Sequence, residues 1–307
     1  MNELAPVALF AYNRFNHLRA TIDALLENTL ADQTNIYIFS DGPRSDCNIK
    51  EVQTVRNYLR TLTGFNSITV YEREMNCGLA QSIIEGVTQI LRKHEKIIVL
   101  EDDLVTSKFF LSYMNEALEK YEDKEDVISV HGYVYPVECQ LPETFLMPGA
   151  DCWGWGTWRR GWQLFNPDGK YLLRQLKLQG KIPEFDFNGS SNFLNMLKDQ
   201  INGKNDSWAI RWHASAIVNN KLTLYPARSL VHNIGNDDSG THSSTSSYLD
   251  TLLSSSKVDV NLIENYGVFE NARKAFKQFF DKNSSRKNKS ALNLCVSKVL
   301  SRLINKK

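Results

Sequence analysis

The chain has 307 residues, 42% hydrophobic and 23% charged, with 36 Lys or Arg against 35 Asp or Glu for a net charge of +1. These are the proportions of an ordinary soluble globular protein, and at ~150 residues per domain the length suits one large or two medium domains. Residues 282–307 hold eight Lys or Arg and no acid, so the remaining body carries 28 basic against 35 acidic residues, a net of −7 that argues against general nucleic-acid binding.

In chain order, Pro6 to Tyr12 reads as a buried strand, followed by a helix from Phe15 to Leu30 with apolar spacing at Leu18, Ile22, Leu25 and Leu26. Asn35 to Ser40 is a second strand, closed by the turn signal Asp41-Gly42-Pro43. A helix over Ile49–Leu62, a strand over Ser67–Tyr71 and a helix over Gly78–Lys93 come next. Lys96-Ile97-Ile98-Val99-Leu100 is then a fourth strand that runs straight into Glu101-Asp102-Asp103. Strand alternating with helix through short connections means a doubly wound, mostly parallel α/β sheet. Leu111–Tyr121 is a further helix and Val127–Val130 a further strand.

An apolar run bounded by charge is a strand buried on both faces, and ligands of open α/β sheets sit at the carboxyl edge where such strands emerge. Three adjacent carboxylates there repel one another, a cost that Mg²⁺ or Mn²⁺ removes through carboxylate and phosphate oxygen. The competing reading is an acidic helix start, since Thr106 and Ser107 follow. Polar residues also end the earlier strands, at Tyr12-Asn13-Arg14, Ser40-Asp41-Gly42 and Arg73 through Gly78. No G-x-G-x-x-G and no Walker A sequence accompanies them, but a diphosphate held on a cation needs neither.

Over residues 6–131 the chain resembles GT-A glycosyltransferases of family 2 and eukaryotic N-acetylglucosaminyltransferase I. The matching residues are Leu100-Glu101-Asp102-Asp103-Leu104 with Phe109-Phe110, Asn76-Cys77-Gly78-Leu79-Ala80, Ser40-Asp41 and Tyr12-Asn13-Arg14. The resemblance implies that Asp103 ligates Mn²⁺ or Mg²⁺, that Asp102 reaches the ribose or donor sugar and that Glu101 supports the motif. It further implies that Asp41 and Arg14 hold the base beside Tyr12 and Asn13, and that Arg73 and Asn76, with Gly78 at the helix start, line the donor site.

From about residue 131 the pattern loses period. Helices are expected over Tyr171–Leu178, Asn192–Ile201 and Trp208–Val218, short strands over Lys221–Tyr225 and Ser229–Ile234, and a loop over Gly235–Ser247. Four of the six tryptophans fall in Trp153-Gly154-Trp155-Gly156-Thr157-Trp158-Arg159-Arg160-Gly161-Trp162. Such rings stack on sugar faces or fill a core turn; the family likeness, where a Gly-Trp-Gly segment lines the sugar pocket, favours Trp153, Gly154, Trp155 and Trp208 as acceptor and sugar contacts. Asp206-Ser207-Trp208 is similar to the Asp-x-Trp segment of N-acetylglucosaminyltransferase I, which makes Asp206 the expected base, although it also suits a helix cap. Asp151 is the second candidate. The same likeness points to a histidine on the C-terminal loop as a metal ligand, His242 ahead of His232.

The tail from Arg286 sets Leu292, Cys295, Val296, Val299, Leu300, Leu303 and Ile304 on one helical stripe flanked by Lys and Arg. This basic amphipathic pattern (286–307) fits an anionic membrane surface or a helix packed on the body or a second subunit. Five scattered cysteines (Cys47, Cys77, Cys139, Cys152, Cys295) favour reduced thiols, and the N-terminus has no signal-peptide or membrane-span pattern, so a cytoplasmic chain, peripheral at the membrane, is expected. The expected organisation is a nucleotide-sugar half (1–131), an acceptor half (132–248) and a helical extension (249–307). The expected activity is metal-dependent, inverting transfer from a UDP-sugar, UDP-GlcNAc among them, to a glycan or lipid-linked glycan such as O-antigen. Alternatives are a sugar-nucleotide nucleotidyltransferase, which would carry a Gly-rich basic loop after the first strand, and a non-catalytic carbohydrate-binding protein.

Overall fold

The computed structural model describes residues 3–237, 247–263 and 270–283. Its first half alternates as expected: β1 (Val7–Ala11), α1 (Phe15–Leu26), β2 (Asn35–Ser40), α2 (Ile49–Leu59), β3 (Ser67–Glu72), α3 (Leu79–Leu91) and β4 (Lys96–Glu101). β1 pairs in parallel with β2 and β4, and β2 with β3. Every residue of β1 and the four apolar residues Ile97–Leu100 of β4 are buried, as continuous aliphatic strands covered on both faces must be. α1 stops four residues short of Leu30 because Asn28 donates from its amide to the Ala24 carbonyl and the Thr106 hydroxyl and accepts from the Leu111 N–H. The amide thus spends its hydrogen bonds joining the helix end to the next two elements.

Those elements are β5 (Leu104–Thr106) and α4 (Phe110–Lys120), then β6 (Val127–His131), β7 (Thr144–Pro148), β8 (Trp155–Trp158) and α5 (Arg159–Trp162). α6 (Gly169–Leu178), α7 (Ile182–Phe185), α8 (Phe193–Ile201), α9 (Trp208–Val218), β9 (Leu222–Pro226) and β10 (Val231–Asn233) complete the order, with a last helix, α10, over 270–283. One eight-stranded sheet runs β3-β2-β1-β4-β8-β6-β9-β7, and β5 pairs with β10 in a separate two-stranded sheet. The fold is therefore α/β on a mixed, mostly parallel sheet. β8 lies antiparallel to both β4 and β6, and β7 antiparallel to β9.

The aperiodic tryptophan segment is that inserted strand. Gly156 on β8 has no room for a Cβ, which would lie 3.1 Å from the Ile97 carbonyl oxygen and 2.9 Å from Met114 Cε, so the glycine lets α4 press onto the sheet. Trp155 is fully buried, its ring centroid 5.4 Å from Trp208 and 5.8 Å from both Trp162 and Trp212. Trp158, also buried, donates from its indole to the Leu118 carbonyl at 3.0 Å. Together these rings bond α9 and α5 to the back of β8.

α10 buries Ala272, Ala275, Phe276 and Phe279 against the body, with Phe276 5.0 Å from Tyr135 and 5.8 Å from Tyr225 between ring centroids. The amphipathic stretch 286–307 lies outside the described residues, among which no helix is long and apolar enough to cross a membrane. Since Trp155 is central to the ring cluster, Trp155→Ala is expected to destabilise the fold by about 3–5 kcal/mol. Urea unfolding followed by far-UV circular dichroism measures it; a loss below 1 kcal/mol would mean that the cluster is not core.

Candidate active site

A cleft of about 1640 Å³ opens at the carboxyl ends of β1, β2 and β4 and continues past Asp151 to α8, the start of α9 and α10. Its floor at one end is the acidic crossing from β4 to β5. The backbone of that crossing is held from two sides: Thr21 Oγ1 donates to the Asp102 carbonyl at 2.9 Å and the Ile234 N–H to the Asp103 carbonyl at 2.9 Å. Arg14, just past β1, sends Nη2 to Asp102 Oδ1 and to Asp103 Oδ2, the latter at 2.8 Å, while the Tyr12 N–H reaches Asp102 Oδ2 at 3.4 Å.

Three carboxyl groups crowd one guanidinium here in a buried place, so acids outnumber bases among the described residues of the crossing. Burial first, then the charges of Asp103 and Asp102, push Glu101 up to about 8. Burial also lifts Asp102 to about 6, against the pull of Arg14 and with the push of Asp103. Burial opposes the charge on Arg14 too, yet Asp102 and then Asp103 hold it above its ordinary value. Glu101 and Asp102 face the cleft. Asp103 sits beneath Gly235, where any Cβ would run into Asp103 Oδ2.

Among the described residues no three His, Cys, Asp or Glu side chains form a cage for a metal. Mg²⁺-type sites that serve phosphate substrates need only one or two protein carboxylates, the phosphates and water supplying the rest. Hard oxygen donors in excess over the one guanidinium fit a divalent cation on that basis. His242 lies outside the described residues. His232 is on β10, opposite Val105 of β5.

On the β2–β3 side, Asp41 accepts from the N–H groups of Gly42, Cys77 and Gly78, each at 3.0 Å, and Asn76 Nδ2 donates to the Gly42 carbonyl at 3.0 Å. The two side chains clamp the loop that leads into α3, where Gly78 takes a φ of +81°, and all three residues line the cleft. Arg73 turns away to Glu85, at 2.8 Å, and to Cys77 Sγ; neither it nor Asn13 is part of the cleft wall. Arg44 is part of that wall: its backbone N–H donates to the Tyr12 hydroxyl at 3.1 Å, and its exposed guanidinium has no carboxylate partner among the described residues.

At the far side, Asp151 Oδ2 accepts from the hydroxyls of Tyr135, at 3.0 Å, and Tyr225, at 3.4 Å, and Oδ1 from the Cys152 N–H at 3.1 Å. Burial, and next the Asp151 charge, raise both phenols well above their ordinary range. His131 Nε2 accepts from the Trp153 N–H at 3.1 Å, which sets Trp153 half-buried in the cleft wall with its ring against Tyr133. Gly154, at a φ of +61°, and Trp155 are packed behind the wall, while Trp208 reaches it although only 3% exposed. Asp206 also lines the cleft; its side chain is 71% exposed and Oδ1 accepts from Arg211 Nη2 at 3.0 Å. The cap of α9 is Ser207, whose hydroxyl accepts from the Ile210 N–H, so Asp206 is not spent on capping.

Several cleft residues escaped the sequence reading. Arg44 follows the Asp41-Gly42-Pro43 turn, and a cation directly after a strand-end turn was the available signal. Tyr133 and Tyr135, two apart after β6, had strand-like spacing. Phe276, Phe280 and Asn283 come from α10, and nothing in local sequence ties that helix to the cleft.

No protein-family model and no curated protein sequence matches the chain. Among solved structures it is similar to a mannosyltransferase from Pyrobaculum calidifontis in complex with GDP-Man and Mn²⁺, at 17% identity and a TM-score of 0.30 over 43% of this chain and 38% of that one. A protein of Bacillus anthracis described as a glucose-1-phosphate thymidylyltransferase aligns at 11% identity and a TM-score of 0.31, over 52% of this chain and 74% of its own. A protein of Desulfovibrio desulfuricans described as a nucleotide-diphospho-sugar transferase aligns at 6% identity and 0.34, over 54% and 69%. The chain thus spans well under half the length of the first of these. Overlaps so partial leave the reading of the site to the chain's own residues.

The acidic crossing makes a pH prediction. Glu101 stays protonated up to about 8 in the fold against an ordinary 4.5, so between those values the folded chain binds more protons than the unfolded one and loses stability as pH rises. With chelator present, thermal midpoints are expected to fall across that window, and Glu101→Gln to flatten the slope. Differential scanning calorimetry at constant ionic strength checks both; an unchanged slope in the variant would place the titration elsewhere.

Proposed function

We propose that the chain is a GT-A-type glycosyltransferase that moves a sugar from a nucleotide-sugar donor, a UDP-sugar in the first instance, to a hydroxyl of a glycan or lipid-linked glycan. One observation supports this above the others: a single cleft joins Glu101 and Asp102 of the acidic crossing to a second carboxylate, Asp206, whose Oδ2 has no hydrogen-bond partner among the described residues. That is the layout for a donor diphosphate at one end and an acceptor hydroxyl at the other.

In this reading Asp103, supported by Asp102, holds Mn²⁺ or Mg²⁺, with His242 a further candidate ligand. When bound, the cation supplies Lewis-acid neutralisation of the departing nucleoside diphosphate. Arg14 aligns the two aspartates through its paired contacts, and Arg44 offers an unpaired charge to phosphate or base beside Tyr12. Asp206 takes the acceptor proton as the hydroxyl attacks, which suits inversion. Asp151, with its oxygens engaged by two tyrosines and a backbone amide, is less open to a substrate proton and holds the acceptor wall instead. A nucleotidyltransferase is disfavoured because Tyr12-Asn13-Arg14-Phe15 after β1 is no Gly-rich cradle, and Arg14 is already occupied by Asp102 and Asp103. Donor choice, including UDP-GlcNAc, work on O-antigen-like polymers and a membrane contact through 286–307 belong to the same proposal.

Two measurements test it. Calorimetric titration of UDP is expected to show binding at least about tenfold tighter with Mn²⁺ than with EDTA, a difference of ~1.4 kcal/mol, and Asp103→Ala is expected to erase the difference. Equal binding of UDP, GDP and dTDP with and without Mn²⁺ would remove the enzyme reading. Asp206→Ala is expected to lower transfer by about 10²–10⁴-fold while donor binding persists; near-normal transfer would reduce Asp206 to a partner of Arg211.

A further inference from the structure

Beyond its charged end, the cleft changes character. Tyr135, Phe187, Phe193 and Phe280 form a continuous aromatic wall: Phe280 lies 5.0 Å from Phe187, 5.1 Å from Tyr135 and 5.8 Å from Phe193 between ring centroids, and all four line the cleft. Between and beside these rings the wall carries the amides of Asn192, Asn195, Asn205 and Asn283. The charged groups of this part are already engaged: Asp151 with two tyrosines, Asp206 with Arg211 and Lys204 with Asp199, at 3.1 Å. Two of the wall residues, Phe280 and Asn283, come from α10, in the segment that sequence alone set apart from the acceptor half.

Aromatic faces with neutral amides, beside charged groups that each already have one ionic or hydrogen-bonded partner, match the alternating C–H faces and hydroxyl edges of an uncharged sugar. Hydrogen bonds within the chain orient these amides, Asn195 Nδ2 to Asn192 Oδ1 at 3.0 Å, Asn205 Nδ2 to the Met196 carbonyl at 3.2 Å and Asn283 Nδ2 to the Phe279 carbonyl at 2.8 Å. A side-chain amide has donor and acceptor positions beyond one such bond for sugar hydroxyls. Drug-sized ligands occupy pockets of about 300–1,000 Å³, so a cleft of about 1640 Å³ has space for more than a donor and one acceptor ring. We infer that α10 completes a distal acceptor subsite that binds a second, uncharged sugar ring, so that the acceptor is an oligosaccharide of at least two units. The inference rests on the glycosyltransferase reading for the role of the bound glycan, not for its binding.

The test is a microarray of neutral glycans from mono- to tetrasaccharides, probed with the full chain and with Phe280→Ala, alongside titration of both proteins with UDP and Mn²⁺. The expected result is retention of di- or larger saccharides over their monosaccharides, weakened at least about tenfold in Phe280→Ala. Thermal midpoint and UDP affinity of the variant are expected to stay near those of the parent chain. Equal retention of monosaccharides, no retained glycan, or retention unchanged in a folded Phe280→Ala would each overturn the subsite. If Phe280→Ala does not fold, Asn195→Ala on the exposed face of α8 replaces it, with the same loss expected. Glycan binding without any nucleoside diphosphate binding would sink the transferase reading and leave the subsite standing.

Discussion

The charge imbalance at the end of β4 is the constraint to which the rest of the molecule answers. A strand buried on both faces delivers three consecutive acids to one edge, and among the described residues only Arg14 comes to meet them. Burying such a cluster costs far more than an exposed one, because its ions lose water and repel through a medium of low polarity. The fold therefore grips the crossing by its backbone: Thr21 from α1, Ile234 after β10 and the β5–β10 pairing all hold Asp102 and Asp103 in place. What those contacts cannot supply is positive charge. Among the described residues the crossing keeps more carboxyl groups than cations, the oxygen-rich kind of donor set that a hard divalent cation accepts.

The opposite wall depends on the antiparallel insertion of β8. By coming between β4 and β6, it places Asp151 and Trp153 immediately before a strand that adjoins the acidic one. The glycine at 156 and the stacked tryptophans behind it make this placement rigid, since the rings leave α9 little freedom to shift. α9 in turn begins with Ser207 as its cap, so Asp206 is presented at a fixed helix start without being consumed by it. Rigidity behind the wall and an open carboxylate on it are two results of the same packing.

Much of this was legible in sequence wherever periodicity and burial agree. β1 to β4 and their helices are long, regular and apolar on the expected faces, and the acidic run after β4 stands out against them. The second half resisted reading for physical reasons. β5, β7 and β8 are three to five residues long, too short for alternation to register, and β8 is made of tryptophan, glycine and threonine, whose burial comes from partners distant in sequence. Trp155 and Trp153 share one motif, yet one is core and the other cleft wall, because Trp153 precedes β8 across Gly154 at a φ of +61° while Trp155 begins the strand. Arg73 and Arg14 are both arginines at strand ends, but Glu85, nearly two helical turns into α3, claims the first. Tertiary competition of that kind leaves no local trace.

The two aspartates of the acceptor side show how geometry separates roles that chemistry leaves equal. Each could take a proton from a hydroxyl. Asp151 already accepts three hydrogen bonds, and two come from phenols whose own protons are held tightly by burial and by its charge. Its carboxylate is thus committed to keeping Tyr135 and Tyr225 in line with the aromatic wall. Asp206 accepts at its carboxylate only from Arg211 among the described residues, at one oxygen, and is mostly exposed, which leaves its second oxygen open. Under the proposed transfer, that open oxygen is what favours Asp206 over Asp151 for taking the proton of an acceptor hydroxyl.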